Sequence, residues 1–185
     1  MKEEEIQLVK NAQKGEAESF GKLYDIYASP IYRFVYLKTS HKEDAEDLTH
    51  QVFLSAWQNI KSFQFQGFPF SSWLYKIASN SVIDYYRTKK YHLNIETIAE
   101  NQIAENFETG NALDDSFDLQ TIKNSLSHLE PVQQNVLIMK FVNDMSNKEI
   151  AAALNKNEGA IRVIQHRALK QLKIILETDK NIKIV

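Results

Sequence analysis

Residues 146–173 read SNKEIAAALNKNEGAIRVIQHRALKQLK, a short helical pattern followed by a break and a longer basic helical pattern. Ser146 and Glu149 have the spacing of a capping box at the start of the first helix. Asn155 and Asn157 occupy the break, where asparagine favours turns and helix N-caps. The pattern is typical of a helix-turn-helix that reads DNA, and an ordinary helical hairpin with a solvated basic face is the alternative.

The second of these helices, predicted from about residue 158 to 173, presents two different faces. Its buried side is predicted to consist of Ile161, Ala168, Leu169 and Leu172. Its other side carries Arg162, Val163, His166 and Arg167. Because a helix-turn-helix places the N-terminal part of its second helix in the major groove, this second set is the candidate base-reading surface.

The composition favours an all-α fold. The 185 residues include only five Gly and three Pro, which argues for helices over sheets. The chain has no cysteine, which excludes disulfides and thiolate metal sites and suits a reducing compartment. The first ten residues, MKEEEIQLVK, are acidic and lack an apolar core, and no apolar run reaches membrane-spanning length. We therefore expect a soluble, cytoplasmic protein with no stable membrane insertion.

The net charge of −2 conceals two basic regions. Residues 61–91 contain five Lys/Arg against one Asp/Glu, and residues 131–185 contain nine against five. Residues 92–130, between them, contain one Lys/Arg against eight Asp/Glu. Because the local field governs contact with phosphates, the two basic regions are candidates for nucleic-acid contact.

Residues 4–91 form a first predicted module, which is entirely helical. We expect Pro30 to interrupt one helix, a second helix to follow from Ile31 to about Lys38, and Ser40 to cap the third. The third helix has a long apolar stripe of Ala45, Leu48, Val52, Phe53, Ala56, Trp57 and Ile60. These spacings follow the helical repeat and predict a strongly amphipathic helix packed on a core.

The fourth helix of this module, from about Ser72 to Lys89, is the second candidate site. Its inner side is predicted to hold Trp73, Leu74, Ile77, Ala78, Ser81, Val82 and Tyr85, and its outer side Lys76, Ser79, Asn80, Ile83 and Arg87, with Asp84 at the edge. The preceding loop, SFQFQGFPFS (62–71), places phenylalanines beside these cations, as suits the stacking of single-stranded bases. We expect two or more of these phenylalanines to anchor the loop in the core. A solvated helix with a basic C-terminal turn is the alternative.

Residues 92–115 are predicted to form an acidic linker with an extended, solvated path. The second module then spans about residues 116–176. Its first helix has an apolar stripe of Leu119, Ile122, Leu126 and Leu129. Pro131 fits the first turn of the next helix, because the amide hydrogen that proline lacks is unpaired there in any case.

The third helix also carries exposed candidates. Asp44 and Asp47 lie three residues apart on one face and could suggest a metal, but no second acidic motif or histidine lies at ligand spacing, so we expect no cofactor. Leu54 projects opposite the core among polar groups, as a residue in a protein-docking surface would; a single exposed leucine without a role is the alternative. No combination of Ser, His and Asp forms a catalytic constellation, and we expect no enzymatic activity.

Three segments resemble the RNA polymerase sigma factors of the sigma-70 family, in their extracytoplasmic function (ECF) group. They are EDAEDLTHQVFLSAWQNI (43–60), FPFSSWLYKIASNSVIDYYRTKK (68–90) and LEPVQQNVLIMKFVNDMSNKEIAAALNKNEGAIRVIQHRALKQLK (129–173). The resemblance implies an N-terminal helical bundle, region 2, and a C-terminal helix-turn-helix bundle, region 4, joined by a flexible acidic linker. It also implies a protein that binds core RNA polymerase and directs promoter-specific transcription initiation.

The resemblance assigns a role to each surface. The polymerase-binding residues would be Asp47, His50, Gln51 and Leu54, although the family often has Gln-Glu at the position of His50-Gln51. The single-stranded −10 element would contact Phe65, Gln66, Gly67, Phe68, Lys76, Asn80, Asp84 and Arg87. The double-stranded −35 element would contact Lys148, Glu158, Gly159, Ala160, Arg162, Val163, His166 and Arg167, with Lys148 on phosphate. An anti-sigma factor is a further expected partner.

Two other functions compete with this interpretation. A stand-alone helix-turn-helix transcriptional regulator would share the C-terminal pattern, but it would not account for the phenylalanine loop or for an exposed Leu54. A metal-dependent nuclease would use the acidic cluster of the third helix.

Overall fold

The structure is a computed structural model that describes residues 3–65, 67–99 and 117–182. Within these ranges the chain is all-α, as the sequence predicts, and forms eight α-helices. They are α1 (Glu3–Gln13), α2 (Ala17–Thr39), α3 (Lys42–Asn59), α4 (Phe70–Ala99), α5 (Phe117–Ser127), α6 (Pro131–Leu137), α7 (Asn147–Ala153) and α8 (Glu158–Ile182). A 3₁₀ turn (Ile60–Ser62) follows α3, and a π-helical segment (Ile138–Val142) continues α6. None of the described helices is long and apolar enough to cross a membrane.

Helix α2 corrects the prediction that Pro30 ends a helix, because the helix runs through this residue without a break. A proline inside a helix removes one backbone hydrogen bond and costs about 3 kcal/mol. The turns after it bury Ile31, Phe34 and Val35 completely. Burial of each such side chain contributes about 1.5–3 kcal/mol, enough to outweigh the lost hydrogen bond.

The junction between α2 and α3 corrects a second prediction. Ser40 does not cap α3; it ends α2 in a left-handed conformation, with φ of 60° and its amide donating to the Tyr36 carbonyl. His41 occupies the N-cap of α3 and makes no side-chain capping bond. Instead, the negative charges of Glu43 and Asp44 in the first turn stabilise α3 by interacting with the positive end of the helix dipole.

The core of the first module forms where α2, α3 and α4 pack on one another. The predicted stripe of α3 is confirmed, since Ala45, Leu48, Val52, Phe53, Ala56 and Ile60 are buried and Trp57 is half-buried against the same core. From α4 the core receives Phe70, Leu74, Ala78 and Val82, all nearly inaccessible to solvent. This periodic burial fixes the rotation of α4 about its axis.

Helix α4 extends further than the sequence predicts. It begins at Phe70 and ends at Ala99, whereas the prediction ended it at Lys89 and began an extended linker at residue 92. Residues 92–99 of the predicted linker are therefore helical, because a helix already fixed by tertiary packing adds one hydrogen bond with each further residue. The rest of that predicted linker, residues 100–115, lies outside the described residues.

The second module contains two capping boxes. The predicted one at α7 is confirmed: the Ser146 amide donates to Glu149 Oε2 over 2.7 Å, and the Glu149 amide donates to Ser146 Oγ over 3.2 Å. The other lies at α6, where the Glu130 amide donates to Gln133 Oε1 over 3.1 Å. Pro131 occupies the first turn of α6, as predicted.

Two residues predicted to be buried in the second module are exposed. Ile122 is 48% exposed, because α5 packs on α2 and turns the neighbouring Lys123 inward, where its ammonium lies 3.7 Å from the centre of the Tyr36 ring. Leu169 is 41% exposed, because the inward side of α8 is centred on Ile161 and Ala168. The rest of both predicted inner faces is buried or half-buried, and the buried residues include Leu126 and Leu129 of the first and Ile161 and Ala168 of the second.

The two modules pack against each other. Helix α4 contacts α7, and α2 contacts both α5 and the π-helical segment. The Asn143 side chain, just after that segment, donates from Nδ2 to the Pro30 carbonyl over 3.2 Å. The sequence did not predict this packing, and it determines which parts of α4 meet solvent.

The capping box of α7 gives a stability prediction. We expect Ser146→Ala to lower the unfolding free energy of the second module by about 1 kcal/mol, because the Glu149 amide loses its acceptor. Ser146→Asp keeps an acceptor at this position and is the matched control. Urea unfolding followed by circular dichroism measures both, and an unchanged midpoint for Ser146→Ala would show that the box does not stabilise α7.

Candidate nucleic-acid interface

The turn between α7 and α8 has the local geometry of a helix-turn-helix. Asn155 adopts a left-handed conformation with φ of 52°. The next amide, that of Lys156, donates to the Ala151 carbonyl over 2.8 Å and closes the end of α7. Asn157 then caps α8, with Oδ1 accepting from the Ala160 amide over 2.8 Å. The roles predicted for the two asparagines are therefore confirmed, and they set the angle at which α8 leaves the turn.

The N-terminal half of α8 presents the predicted base-reading residues to solvent. Arg162, Val163, His166 and Arg167 are all exposed. Val163 is 49% exposed, as single apolar side chains on a protein surface often are. Arg162 lies 3.4 Å from Glu158 across one helical turn, an exposed pair that is weak enough for the guanidinium to exchange its partner for a base.

Four further residues predicted for this surface have different surroundings. Glu158 and Gly159 in the first turn of α8 are exposed, and Ala160 is half-buried. Lys148 is exposed on α7, but its ammonium lies 5.6 Å from the centre of the Phe68 ring, which belongs to the first module. Lys148 therefore faces a residue predicted for the other DNA site.

The outer side of α4 brings four predicted residues together. Lys76, Asn80, Asp84 and Arg87 are exposed and lie one turn apart along the helix. Ile83, between them, is 53% exposed. Asp84 and Arg87 form an ion pair of 3.1 Å in which both side chains are mostly in solvent. This face combines cations, an amide and an apolar side chain, as contact with unpaired bases and their phosphates requires.

Ser79 is a correction to this face. The sequence placed it on the outer side with Lys76 and Asn80, but it is only 5% exposed. The cause is the second module: Asn135 of α6 donates from Nδ2 to Ser79 Oγ over 2.8 Å. The rotation of α4 is as predicted, but the second module covers Ser79 on its outer side.

The phenylalanine loop is anchored as predicted. Phe63 and Phe70 are buried, and their rings meet edge to face at 5.4 Å. Phe65 and Phe68 are half-buried, and Phe65 packs edge-on against Phe63 at 4.9 Å. Gln13 of α1 also anchors the loop, because its Nε2 donates a hydrogen bond to the Phe63 carbonyl over 2.7 Å.

The tip of this loop is open to solvent. Gly67 has φ of +78°, a conformation that residues with a side chain rarely adopt, and its position is exposed. Gln66 lies outside the described residues. The loop therefore holds two rings in the core and two near the surface beside α4.

The polymerase-binding residues implied by the resemblance form a single exposed face of α3. Asp47, His50, Gln51 and Leu54 are all exposed and follow the helical repeat. Leu54 is 58% exposed although the rest of the apolar side chains of α3 face the core. This face and the outer face of α4 border a shared cleft of about 600 Å³, lined among others by Asp47, Gln51, Asp84 and Lys89.

Tyr85 and Asp44 also line the cleft, and the Tyr85 hydroxyl donates a hydrogen bond to the Asp44 carboxylate. Burial, and then this hydrogen bond to a carboxylate, raise the pKa of Tyr85 above its usual value. Asp44 is thereby engaged in joining α3 to α4. Within the described residues, no three histidine, aspartate or glutamate side chains are grouped closely enough to hold a metal ion.

Comparison with protein families and with known proteins agrees with this geometry. The model of sigma-70 region 2 matches residues 23–91, and the model of sigma-70 region 4 matches residues 119–172. The chain is 30% identical over 174 residues to the ECF RNA polymerase sigma factor SigW of Bacillus subtilis, covering 89% of this chain and 92% of SigW. It is 35% identical over 177 residues to the ECF RNA polymerase sigma factor BldN of Streptomyces coelicolor, covering 94% of this chain and 66% of BldN.

Two solved structures share the fold. CnrH in complex with the cytosolic domain of CnrY matches with a TM-score of 0.74 and 21% identity, covering 96% of this chain and 99% of that one. The sigma factor RpoE in complex with the anti-sigma factor NepR, from Bartonella quintana, matches with a TM-score of 0.69 and 23% identity, covering 88% and 99%. The protein belongs to the sigma-70 family. Within it, the chain is an ECF RNA polymerase sigma factor and acts in transcription initiation.

The sequence did not reveal the residues that join the two modules. Lys38, Ser79 and Asn135 form a hydrogen-bonded chain across the junction, but they are 41 and 56 positions apart and belong to three different helices. No periodic pattern connects positions so far apart. The sequence offers one signal of this junction. Asn135 is a polar residue beside Val136 and Leu137, at a helical position expected to be buried.

The left-handed conformation of Asn155, in the turn before α8, gives a stability prediction. We expect Asn155→Ala to destabilise the second module by about 1–2 kcal/mol, because alanine gains no local hydrogen bond that offsets a left-handed conformation. Asn155→Gly should leave stability nearly unchanged, since glycine adopts this conformation freely. Thermal unfolding of the two variants tests this, and equal melting temperatures would contradict the assigned geometry.

Proposed function

We propose that the three exposed faces divide the work of this sigma factor. The outer face of α3, with Asp47, His50, Gln51 and Leu54, binds core RNA polymerase. The outer face of α4 and the phenylalanine loop bind the single-stranded −10 element. The exposed face of α8 reads the double-stranded −35 element. The observation that carries this proposal is that the residues assigned on α3 and α4, and most of those on α8, are exposed on helices whose opposite sides are packed into a core.

The chemistry of α4 supports the −10 assignment. A base taken out of the duplex loses stacking at a cost of a few kcal/mol, which the protein must offset. Phe65 and Phe68 offer ring surface, Asn80 offers both a hydrogen-bond donor and an acceptor, and Lys76 and Arg87 attract the phosphates. Asp84 and Arg87 form an ion pair that is mostly in solvent and therefore weak, so the guanidinium can exchange Asp84 for a phosphate.

The chemistry of α8 supports the −35 assignment. An arginine such as Arg162 can donate two hydrogen bonds to a guanine in the major groove, and Val163 suits the methyl group of a thymine. Lys148, at the start of α7, suits a phosphate contact that sets the register of the domain on the duplex. Glu158, Gly159 and Ala160 form the first turn of α8, which would lie beside the groove in this arrangement.

Other proposals concern partners and place. We propose that an anti-sigma factor binds this protein, as NepR binds the Bartonella quintana sigma factor of similar fold. We further propose that the protein acts in the cytoplasm, where core polymerase and promoters are, and that it has no enzymatic activity of its own. The regulator alternative leaves the exposed face of α3 without a role.

The function is tested by run-off transcription with purified core polymerase on a library of genomic fragments. We expect the protein alone to give core polymerase new and reproducible start sites, because a sigma factor supplies promoter recognition. A stand-alone regulator would give none until another sigma factor is added. The start sites also locate the −10 and −35 elements for the experiments below.

The division of labour is tested with two single substitutions. We expect Arg162→Ala to weaken use of a matching −35 element by about 1–3 kcal/mol and to leave core polymerase affinity intact. We expect Leu54→Ala to weaken core polymerase binding by about 1 kcal/mol or more and to leave the −35 preference intact. Ile174→Ala is the matched control for Leu54, since Ile174 is 56% exposed on α8 outside the three faces. Exchange of the two phenotypes would refute the assignment.

A further inference from the structure

A glutamine at the end of α1 is hydrogen-bonded to the start of the phenylalanine loop. Gln13 donates from Nε2 to the Ile60 carbonyl over 3.1 Å and to the Phe63 carbonyl over 2.7 Å. These two carbonyls belong to the first residue and to the C-cap of the 3₁₀ turn that follows α3. A glutamine amide nitrogen carries two hydrogens, so one is available for each carbonyl. Gln13 therefore holds the point at which the chain leaves α3 and enters the loop.

The helix that carries Gln13 is itself fixed to the core of region 2. Val9 and Ala12 of α1 are 0% and 1% exposed, and α1 packs on α2 and on the 3₁₀ turn. Gln13 is half-buried, which partly shields its two hydrogen bonds from competing water. The start of the loop is thus tied to a rigid element that lies 47 to 50 positions earlier in the chain.

The backbone that Gln13 holds belongs to the buried anchor of the loop. Phe63 is 7% exposed, and its ring lies 5.4 Å from those of Phe70 and Trp73 and 4.9 Å from that of Phe65. Phe65 follows two residues later, is half-buried, and is assigned to the −10 element. A shift of the Phe63 backbone would therefore move the surface against which the Phe65 ring packs.

The loop needs such a restraint, because its backbone is irregular. Residues 63–65 and 67–69 belong to no helix, and Gly67 has φ of +78°. A loop that becomes ordered only when its ligand binds weakens the binding, since it loses conformational entropy in that step. A loop whose first residue is already fixed loses less.

We infer that Gln13 is a positioning residue for −10 recognition: its two hydrogen bonds hold the loop so that the Phe65 ring is in place to stack on an unpaired base. The inference rests on the proposed −10 role of the loop. Gln13 acts through the Phe63 backbone and does not itself contact DNA. This gives α1 a role in promoter recognition, although α1 lies outside residues 23–91, which match the model of sigma-70 region 2.

The test compares two positions on α1. Gln13→Met keeps the length of the side chain and removes both hydrogen-bond donors. Gln13→Glu is a second variant, which also lacks the donors and places a carboxylate against the two carbonyls. Gln7→Met is the matched control, because Gln7 is exposed on the same helix and donates to Asn11 Oδ1 over 2.8 Å, away from the loop. Each variant is assembled with core polymerase.

The probes are fluorescein-labelled single strands that carry the −10 element mapped by run-off transcription, either intact or with one base at a time replaced by an abasic site. We expect the original holoenzyme to bind the strand that lacks the stacked base roughly 5- to 150-fold more weakly than the intact strand, the range for one base stacked on an aromatic ring. Gln13→Met should reduce this ratio roughly 2- to 12-fold, the range for the loss of one hydrogen bond. Gln13→Glu should reduce it at least as much, and Gln7→Met should leave it unchanged.

The ratio separates positioning from a general loss of structure. Partial unfolding, or the added charge of Gln13→Glu, weakens the binding of both strands by the same factor and leaves the ratio as it was. A ratio equal to that of the original protein in both Gln13 variants would overturn the inference and leave the −10 assignment standing. An original protein that binds every abasic strand as tightly as the intact one would instead refute the −10 assignment, and the inference with it.

Discussion

The packing of Leu74, Ala78 and Val82 into the core of region 2 fixes the orientation of α4, and the rest of the molecule depends on that orientation. With this stripe buried, Lys76, Asn80 and Arg87 must face the other way. The same side of α4 receives Asn135 from region 4. One helix therefore belongs to the core of the first module on one side and forms the junction with the second module on the other.

The distribution of charge acquires a physical meaning from this arrangement. The chain has a net charge of −2, and its two basic regions are separated along the sequence by an acidic stretch. Each basic face alone offers a modest, salt-sensitive attraction for DNA. Two such faces bind strongly only when they engage one DNA molecule at a fixed separation, because the second contact is then intramolecular. We propose that core polymerase fixes this separation, and that an acidic total charge limits binding elsewhere.

Local physics made most of the fold predictable. The stripe of α3, the capping box at Ser146 and the asparagines of the turn follow from interactions between residues a few positions apart, and all of them are found. The wrong predictions concern places where distant packing overrides a local preference. Pro30 remains within a helix because the turns after it are buried, and Ile122 is exposed because α5 packs on the other module.

The candidate site divides in the same way. The faces of α3 and α8 could be identified from helical periodicity, since each has one apolar and one polar side. The covering of Ser79 could not, because it depends on Asn135, 56 residues further along the chain and across the junction between the modules. A pattern within one helix shows which side faces outward, but it does not show what packs on that side.

The most direct test of the account is run-off transcription by core polymerase with a variant of the outer side of α4. We expect Asn80→Ala to reduce initiation at the mapped start sites without changing the melting temperature, because Asn80 is exposed and the buried side of the helix is untouched. Normal initiation by this variant, or a lowered melting temperature, would contradict the account.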